Sequence, residues 1–140
     1  MCVAAAGALF AQAEGWVIGP FVRPPDAQPA IRPNKDSVFK NPVDGALVHW
    51  EALHTFNPAA IARNGKIYVI YRAEDDTGAM LIGGHTSRLG LAESGDGIHF
   101  TRRAEPVLYP DNDAEKQREW PGGCEDPRIA EGPDGTYLLT

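Results

Sequence analysis

The sequence predicts an all-β protein of short antiparallel strands, and three observations carry that prediction. Turn dipeptides recur between short apolar runs: Asn64-Gly65, Asp96-Gly97 and Asp134-Gly135 are each followed by residues suited to a strand. No long stretch repeats its apolar residues at the 3.6-residue period of an amphipathic helix. Glycine (15) and proline (12) are abundant in the 140 residues and scattered between the apolar runs, which suits a turn-rich β protein better than a helical one.

Taken in order, residues 1–13 are small and apolar and end in Ala11-Gln12-Ala13. That is the back end of an export signal with its cleavage site, although the basic segment that opens such signals is missing. The stretch is too short to span a membrane. The expected location is therefore periplasmic or secreted, with the cytoplasm as the alternative if the pattern is accidental. Residues 14–50 include Pro20, Pro24, Pro25, Pro29, Pro33 and Pro42 and should form an extended arm, because each proline fixes φ and removes a donor. The first blades of a repeat fold should occupy 51–140. There Asn57-Pro58 opens a run over Ala59–Ala62, Asn64-Gly65 turns the chain, and Lys66–Tyr71 returns as a strand. Arg88–Ser94 is a third strand, Asp96-Gly97 a turn and Ile98–Thr101 a fourth strand. The polar loop Asp111–Glu119 carries one helical hint, its Ala-Glu-Lys-Gln-Arg-Glu run.

The chain also repeats itself. Asn57-Pro58 and Asp126-Pro127 lie 69 residues apart, as do Tyr68 and Tyr137, and in each copy a polar-Gly turn precedes the tyrosine with its register slipped by one. The element order matches a four-stranded propeller blade; a β-sandwich is the competitor. Leu138-Leu139-Thr140 fall in mid-strand, so the expectation is the front portion of a longer protein, about two blades of a radial repeat.

A formal charge of −6 with no basic stripe speaks against a nucleic-acid partner. A disulfide between the two cysteines, Cys2 and Cys124, is open but without support in the sequence, and Cys124 reads as a small buried residue. His49, His54, His85 and His99 have no metal-ligand spacing, Asp111-Asn112-Asp113 lacks the glycine and distal glutamate of a calcium loop, and no metal or cofactor is expected. There is no phosphate-cradling glycine loop and no nucleophile elbow.

Chemistry concentrates in Gly122-Gly123-Cys124-Glu125-Asp126-Pro127-Arg128. The double glycine permits a close backbone approach. Pro127 should push Asp126 towards an extended conformation and aim its carboxyl. Arg128 favours the charged carboxylate and burial favours the neutral acid, which is how a general acid is tuned. Alone, the segment equally suits an Asx-Pro turn closed by a surface ion pair. A second cluster, Asn57, Arg72, Glu74, Asp75 and Asp76, falls at strand ends, with His85-Thr86-Ser87-Arg88 before the next strand. Arginines placed so suit bidentate recognition of hydroxyl pairs, carboxylates or phosphate. Trp50 and Trp120 are sugar-stacking platforms or core residues, with core favoured for Trp50.

Thr55-Phe56-Asn57-Pro58-Ala59-Ala60, Tyr71-Arg72-Ala73-Glu74-Asp75, Thr86-Ser87-Arg88-Leu89-Gly90-Leu91-Ala92, Ser94-Gly95-Asp96-Gly97-Ile98-His99-Phe100 and Gly122–Arg128 occur in this order. Together they resemble the β-mannoside phosphorylases of glycoside hydrolase family 130, from about Trp16 to the last residue. The resemblance implies a five-bladed β-propeller, of which this chain is the first two blades or so. It further implies inverting cleavage of β-mannosides or manno-oligosaccharides, with Asp126 as the general acid acting through the 3-hydroxyl of the bound mannose. Inorganic phosphate would be the co-substrate and α-mannose 1-phosphate the product. Asn57, Arg72 and Arg88 would line the central pocket, with Asp75, Glu125 and Arg128 as further binding residues. The resemblance leaves open an exported β-1,2-mannosidase in which water replaces phosphate, a non-catalytic sugar-binding propeller, and assembly into a homo-oligomer.

Overall fold

The computed structural model describes residues 19–25, 28–81 and 83–140. The segment read as an export signal lies outside them. Eight strands and one four-residue helix make up the regular structure of the described residues, so the chain is all-β. Strands β1 (Phe39–Lys40) and β2 (Leu47–Val48) form a hairpin. Strands β3 (His54–Arg63), β4 (Lys66–Glu74), β5 (Ser87–Ser94) and β6 (Thr101–Arg102) form an antiparallel sheet in chain order. Helix α1 (Lys116–Glu119) follows, and β7 (Ile129–Glu131) pairs with β8 (Tyr137–Leu139).

Several boundaries differ from the sequence expectation for physical reasons. Residues 14–50 are not extended throughout, because Asn41 and Asp44 turn the chain between β1 and β2 through an Asn41 Nδ2–Asp44 Oδ1 bond of 2.9 Å. Strand β3 starts at His54, with Asn57-Pro58 inside it. There the register passes from Phe56–Arg72 to Ala59–Ile70, a bulge that absorbs the donor-less proline. The fourth strand begins at Thr101, later than expected. Asp96 Oδ1 accepts the Ile98 and His99 amides at 2.9 and 2.8 Å, and those donors are then lost to the ladder.

Both hairpin turns form where the dipeptides stand. Asn64 (φ 50) and Gly65 (φ 73) are the two left-handed residues of a two-residue turn between β3 and β4. Between β7 and β8, Gly132 and Thr136 pair through an amide–carbonyl bond of 2.8 Å, leaving three loop residues, Pro133-Asp134-Gly135. That extra residue accounts for the slipped register of the second copy.

Side chains alternate along β4, so it presents two faces. Val69, Tyr71 and Ala73 turn to Phe39, Val48 and Trp50, which form the core. Trp50 is fully buried, stacks on Tyr71 at 6.3 Å between centroids, and donates from Nε1 to the Ala104 carbonyl at 3.1 Å. It is a core residue. The buried Glu51 carboxylate accepts from Tyr71 Oη at 2.8 Å and Arg102 Nη1 at 2.9 Å. Burial first, and then the Glu51 charge, push the Tyr71 phenol well above its ordinary value. The opposite face, with Ile70, Ile61 and Leu91, meets Ile129 and Tyr137 across an open cleft of about 390 Å³.

Gly90 lies across from Tyr71, and a Cβ there would sit 2.3 Å from the ring carbon Cζ. Gly90→Ala must displace the ring from Trp50 and Glu51. Overpacking of this kind costs roughly 1–3 kcal/mol, and the check is a lower urea unfolding midpoint with an unchanged slope.

Candidate active site

The site starts from a close backbone approach. Gly122–Cys124 runs along the edge of β5, with Ser87 N donating to Gly122 O at 2.9 Å and Cys124 N to Ser87 O at 3.0 Å. Gly123 has φ 102, and a Cβ there would lie 2.1 Å from the Ser87 carbonyl oxygen. The double glycine thus makes the close approach expected of it, and its partner is β5.

From that anchor the chain swings Asp126 over the end of the β3–β4 sheet. Asp126 is not extended, as its following proline suggested; it has φ 44, and Asn57, its counterpart in the repeat, has φ 45. Asn and Asp tolerate this left-handed region better than other side-chain-bearing residues. Here the tertiary contacts override the pre-proline preference. Asn57 Nδ2 donates to Asp126 Oδ1 at 2.8 Å, and Arg72 Nη1 to the same oxygen at 3.1 Å.

Arg72 is the hub of the cluster. Its guanidinium lies 4.7 Å from the centroid of the Phe56 ring and donates to Ser87 Oγ at 3.0 Å, Glu74 Oε1 at 2.8 Å and Glu125 Oε1 at 2.9 Å. Its side chain is 13% exposed, against 45% for Glu125 and 47% for Asp126, so the cation is sheltered while two of its carboxylates face outwards. The Asn57 hydrogen bond and then Arg72 hold the Asp126 carboxyl below its ordinary value. Among the described residues these bonds engage Oδ1 of Asp126 and leave Oδ2 free.

The structure therefore gathers Asn57, Arg72, Glu125 and Asp126. It does not bring Asp75 and Arg88 to them. Arg88 is opposite Ala73 in the ladder and Arg72 is opposite Leu89, so the two arginines lie on opposite faces of the sheet. Arg88 Nη1 donates to Asp75 Oδ2 at 2.7 Å with both side chains buried, and the guanidinium sits 5.8 Å from the centroid of the Phe39 ring. Arg128 does not pair with the Asp126 carboxylate; its Nη1 donates to the Asp126 and Pro127 carbonyls at 3.2 and 2.9 Å. Ser87, read from sequence only as preceding its strand, joins the cluster, and Phe56 and His54, whose Nδ1 is 2.8 Å from Glu74 Oε2, complete it without having been given a part. Only the register of β3 on β4, which sets His54 beside Glu74 and Phe56 beside Arg72, makes them visible. Cys124 is buried, and burial followed by the Glu119 charge pushes its thiol up to about 11, which rules out a neutral-pH thiolate.

Residues 26–140 match the family profile of glycoside hydrolase family 130, described as beta-1,4-mannooligosaccharide phosphorylase. The chain belongs to glycoside hydrolase family 130. It is similar to the 1,2-beta-oligomannan phosphorylase of Thermoanaerobacter sp. (strain X514), 43% identical over 90 residues, which are 64% of this chain and 28% of that protein. A solved family 130 structure is 53% identical over 90% of this chain and 35% of its own, with a TM-score of 0.84. It comes from work reporting that the family of mannoside phosphorylases contains glycoside hydrolases that target beta-1,2 mannosidic linkages in Candida mannan. A glycosyl hydrolase from Bacteroides ovatus is 51% identical over 91% of this chain and 36% of its own, with a TM-score of 0.85. The chain thus spans about a third of the length of these family 130 relatives.

The electrostatics of this family 130 site have a testable sign. Because the folded-state pKa of Asp126 is depressed, its contacts are fully present above the ordinary carboxylate value and are lost as pH falls through the folded value. Asn57→Ala should raise the Asp126 titration midpoint towards the ordinary value, and by more than Arg128→Ala does. A carboxyl-carbon NMR titration reads both; a larger effect of Arg128→Ala would reverse the assignment.

Proposed function

We propose that this chain carries the acid-bearing part of an inverting enzyme that cleaves β-mannosidic bonds, and that the full-length enzyme is a five-bladed β-propeller begun by these residues. The meeting of the two repeat copies carries the reading: Asn57 and Asp126 join at 2.8 Å on matching left-handed backbone beside Arg72. A sugar-binding module needs donors and acceptors for hydroxyls. It has no need of an acid with one oxygen clamped by two donors and the other free.

Asp126 is the general acid, its Oδ1 positioned by Asn57 and Arg72 and its Oδ2 turned to substrate. It passes a proton to the glycosidic oxygen through a sugar hydroxyl, as the family resemblance implies. A sugar packed over Asp126 excludes water and favours the protonated acid, opposing the lowering seen here. Inversion needs room for a nucleophile on the opposite face of the sugar, roughly 6.5–9.5 Å between acid and base carboxyls in ordinary hydrolases.

The mannosidic linkage is proposed to be β-1,2, because the Thermoanaerobacter relative and the 53% identical structure are both named for that linkage. Water is favoured over phosphate as the nucleophile on three grounds. The identity to the structure reported with glycoside hydrolases exceeds that to the phosphorylase. Ala11-Gln12-Ala13 points to export, and outside the cytoplasm a sugar phosphate would be lost. Among the described residues the one guanidinium on the Asp126 carboxylate, that of Arg72, already faces three carboxylates, an unwelcoming setting for an anion. Phosphorolysis is the second reading, favoured by the activity named for the Thermoanaerobacter protein.

Full-length enzyme incubated with β-1,2-manno-oligosaccharides should release mannose at a rate indifferent to phosphate; phosphate-dependent formation of α-mannose 1-phosphate would select the second reading. Asp126→Asn should lower turnover by about 10²–10⁴-fold. Mannoside binding should stay within about tenfold, or roughly 1.4 kcal/mol. Undiminished turnover would remove Asp126 from the acid role.

A further inference from the structure

His54 opens β3 directly opposite Glu74, the last residue of β4, and Phe56 stands opposite Arg72. Leu53 N pins this end of the ladder by donating to the Glu74 carbonyl at 3.0 Å. We propose that His54 is a positioning residue for Asp126: by holding one oxygen of Glu74 it confines that carboxylate to one nitrogen of Arg72 and keeps another nitrogen of Arg72 on Asp126. The inference rests on the reading of Asp126 as the acid.

The division of the two Glu74 oxygens carries the argument. His54 Nδ1 lies 2.8 Å from Oε2, and Arg72 Nη2 donates to Oε1 at 2.8 Å. A carboxylate only accepts, so the imidazole proton on this contact sits on Nδ1. A carboxylate with both oxygens free closes on a guanidinium as a fork, with two parallel bonds to two nitrogens. Each nitrogen of Arg72 already has an acceptor: Nε has Ser87 Oγ at 3.0 Å, Nη1 has Asp126 Oδ1 at 3.1 Å, and Nη2 has Glu125 Oε1 at 2.9 Å besides Glu74. A fork from Glu74 draws in a second nitrogen, Nε or Nη1, and either choice swings the guanidinium from its place on Asp126.

Shelter makes the imidazole necessary. The Glu74 and Arg72 side chains are 12% and 13% exposed, so an Oε2 released by His54 finds little water and turns to the guanidinium. His85 does not replace His54. Its ring centroid lies 6.5 Å from that of His54, its Nδ1 is engaged by the Thr77 carbonyl, and its Nε2 lies 3.3 Å from Met80 Sδ. Among the described residues the ionisable groups around His54 are Glu74 from β4 and, lining the same cleft, Arg72, His85 and Glu125. Asp126 itself is faced by Asn57 from β3 and Arg72 from β4, with Arg128 beside it in its own segment.

The test uses the full-length enzyme with His54→Ala, which removes the donor, and His54→Asn, whose amide nitrogen takes the place of Nδ1 on Glu74. The His54 side chain is 45% exposed, so neither change threatens folding. With β-1,2-mannobiose, His54→Ala should lower kcat about tenfold, a part of the roughly 10²–10⁴-fold that a positioned acid supplies. KM should stay within about threefold, as for an interaction made in the transition state. His54→Asn should recover most of the loss. A carboxyl-carbon NMR titration should show the Asp126 midpoint raised towards the ordinary value in His54→Ala, because a donor that lowers it has moved off, and returned in His54→Asn. An unmoved midpoint, a loss confined to KM, or a loss that His54→Asn does not recover overturns the positioning role and leaves the acid assignment standing. Full turnover in Asp126→Asn overturns the acid assignment instead, and the midpoints alone then decide whether His54 keeps Arg72 on Asp126.

Discussion

Strand β5 has one edge to offer after pairing with β4, and three segments share it. Strand β6 takes its far end through Ala92 and Glu93, Leu108 takes the middle at Leu89, and Gly122–Cys124 takes the start at Ser87. Buried backbone donors and acceptors must be paired, so this sharing is close to obligatory. Its consequence is positional. The third segment ends where Glu125 and Asp126 begin, so the ladder that satisfies Ser87 also delivers two carboxylates to Arg72, which reaches Ser87 Oγ from the neighbouring strand.

Charge compensation completes what the backbone begins. A guanidinium mostly shielded by Phe56 and the sheet needs acceptors in several directions, and it finds Ser87, Glu74, Glu125 and Asp126. Glu74 is in turn held by His54, so the inner part of the cluster is rigid. The outer carboxylates face solvent, where a ligand can exchange with water. The other arginine of the region follows the opposite logic: Arg88 and Asp75 are wholly buried and hold the fold together. Two ion pairs on adjacent strands differ in role because one residue of offset in a strand changes the face.

That offset marks the limit of what the sequence made legible. The strands, both hairpin turns, the close approach of the double glycine, the buried Trp50 and the family were all readable from local patterns. The repeat matched Asn57 with Asp126, and the family resemblance added Arg72 to them. Asp75 and Arg88 stand apart from that cluster, because the β4–β5 register sets Arg88 opposite Ala73 and Leu89 opposite Arg72, and a pairing register is not written in either strand alone. The backbone at Asp126 was misjudged for a related reason. Proline's preference for an extended neighbour is a small local term, and a hydrogen bond from a residue 69 positions away outweighs it.

The repeat also sets one amide against one acid. Asn57 and Asp126 occupy equivalent places with φ values of 45 and 44, so each presents its side chain to the other. Two asparagines would make a neutral pair with no titratable group. Two aspartates at 2.8 Å would have to share a proton, the pair's second ionisation being driven up by its like charge. Asparagine opposite aspartate avoids both outcomes: the amide donates to one carboxylate oxygen, fixes the group and leaves the other oxygen free. A duplicated turn thereby yields an asymmetric pair, and the asymmetry resides in a single atom, the nitrogen at Nδ2 of Asn57.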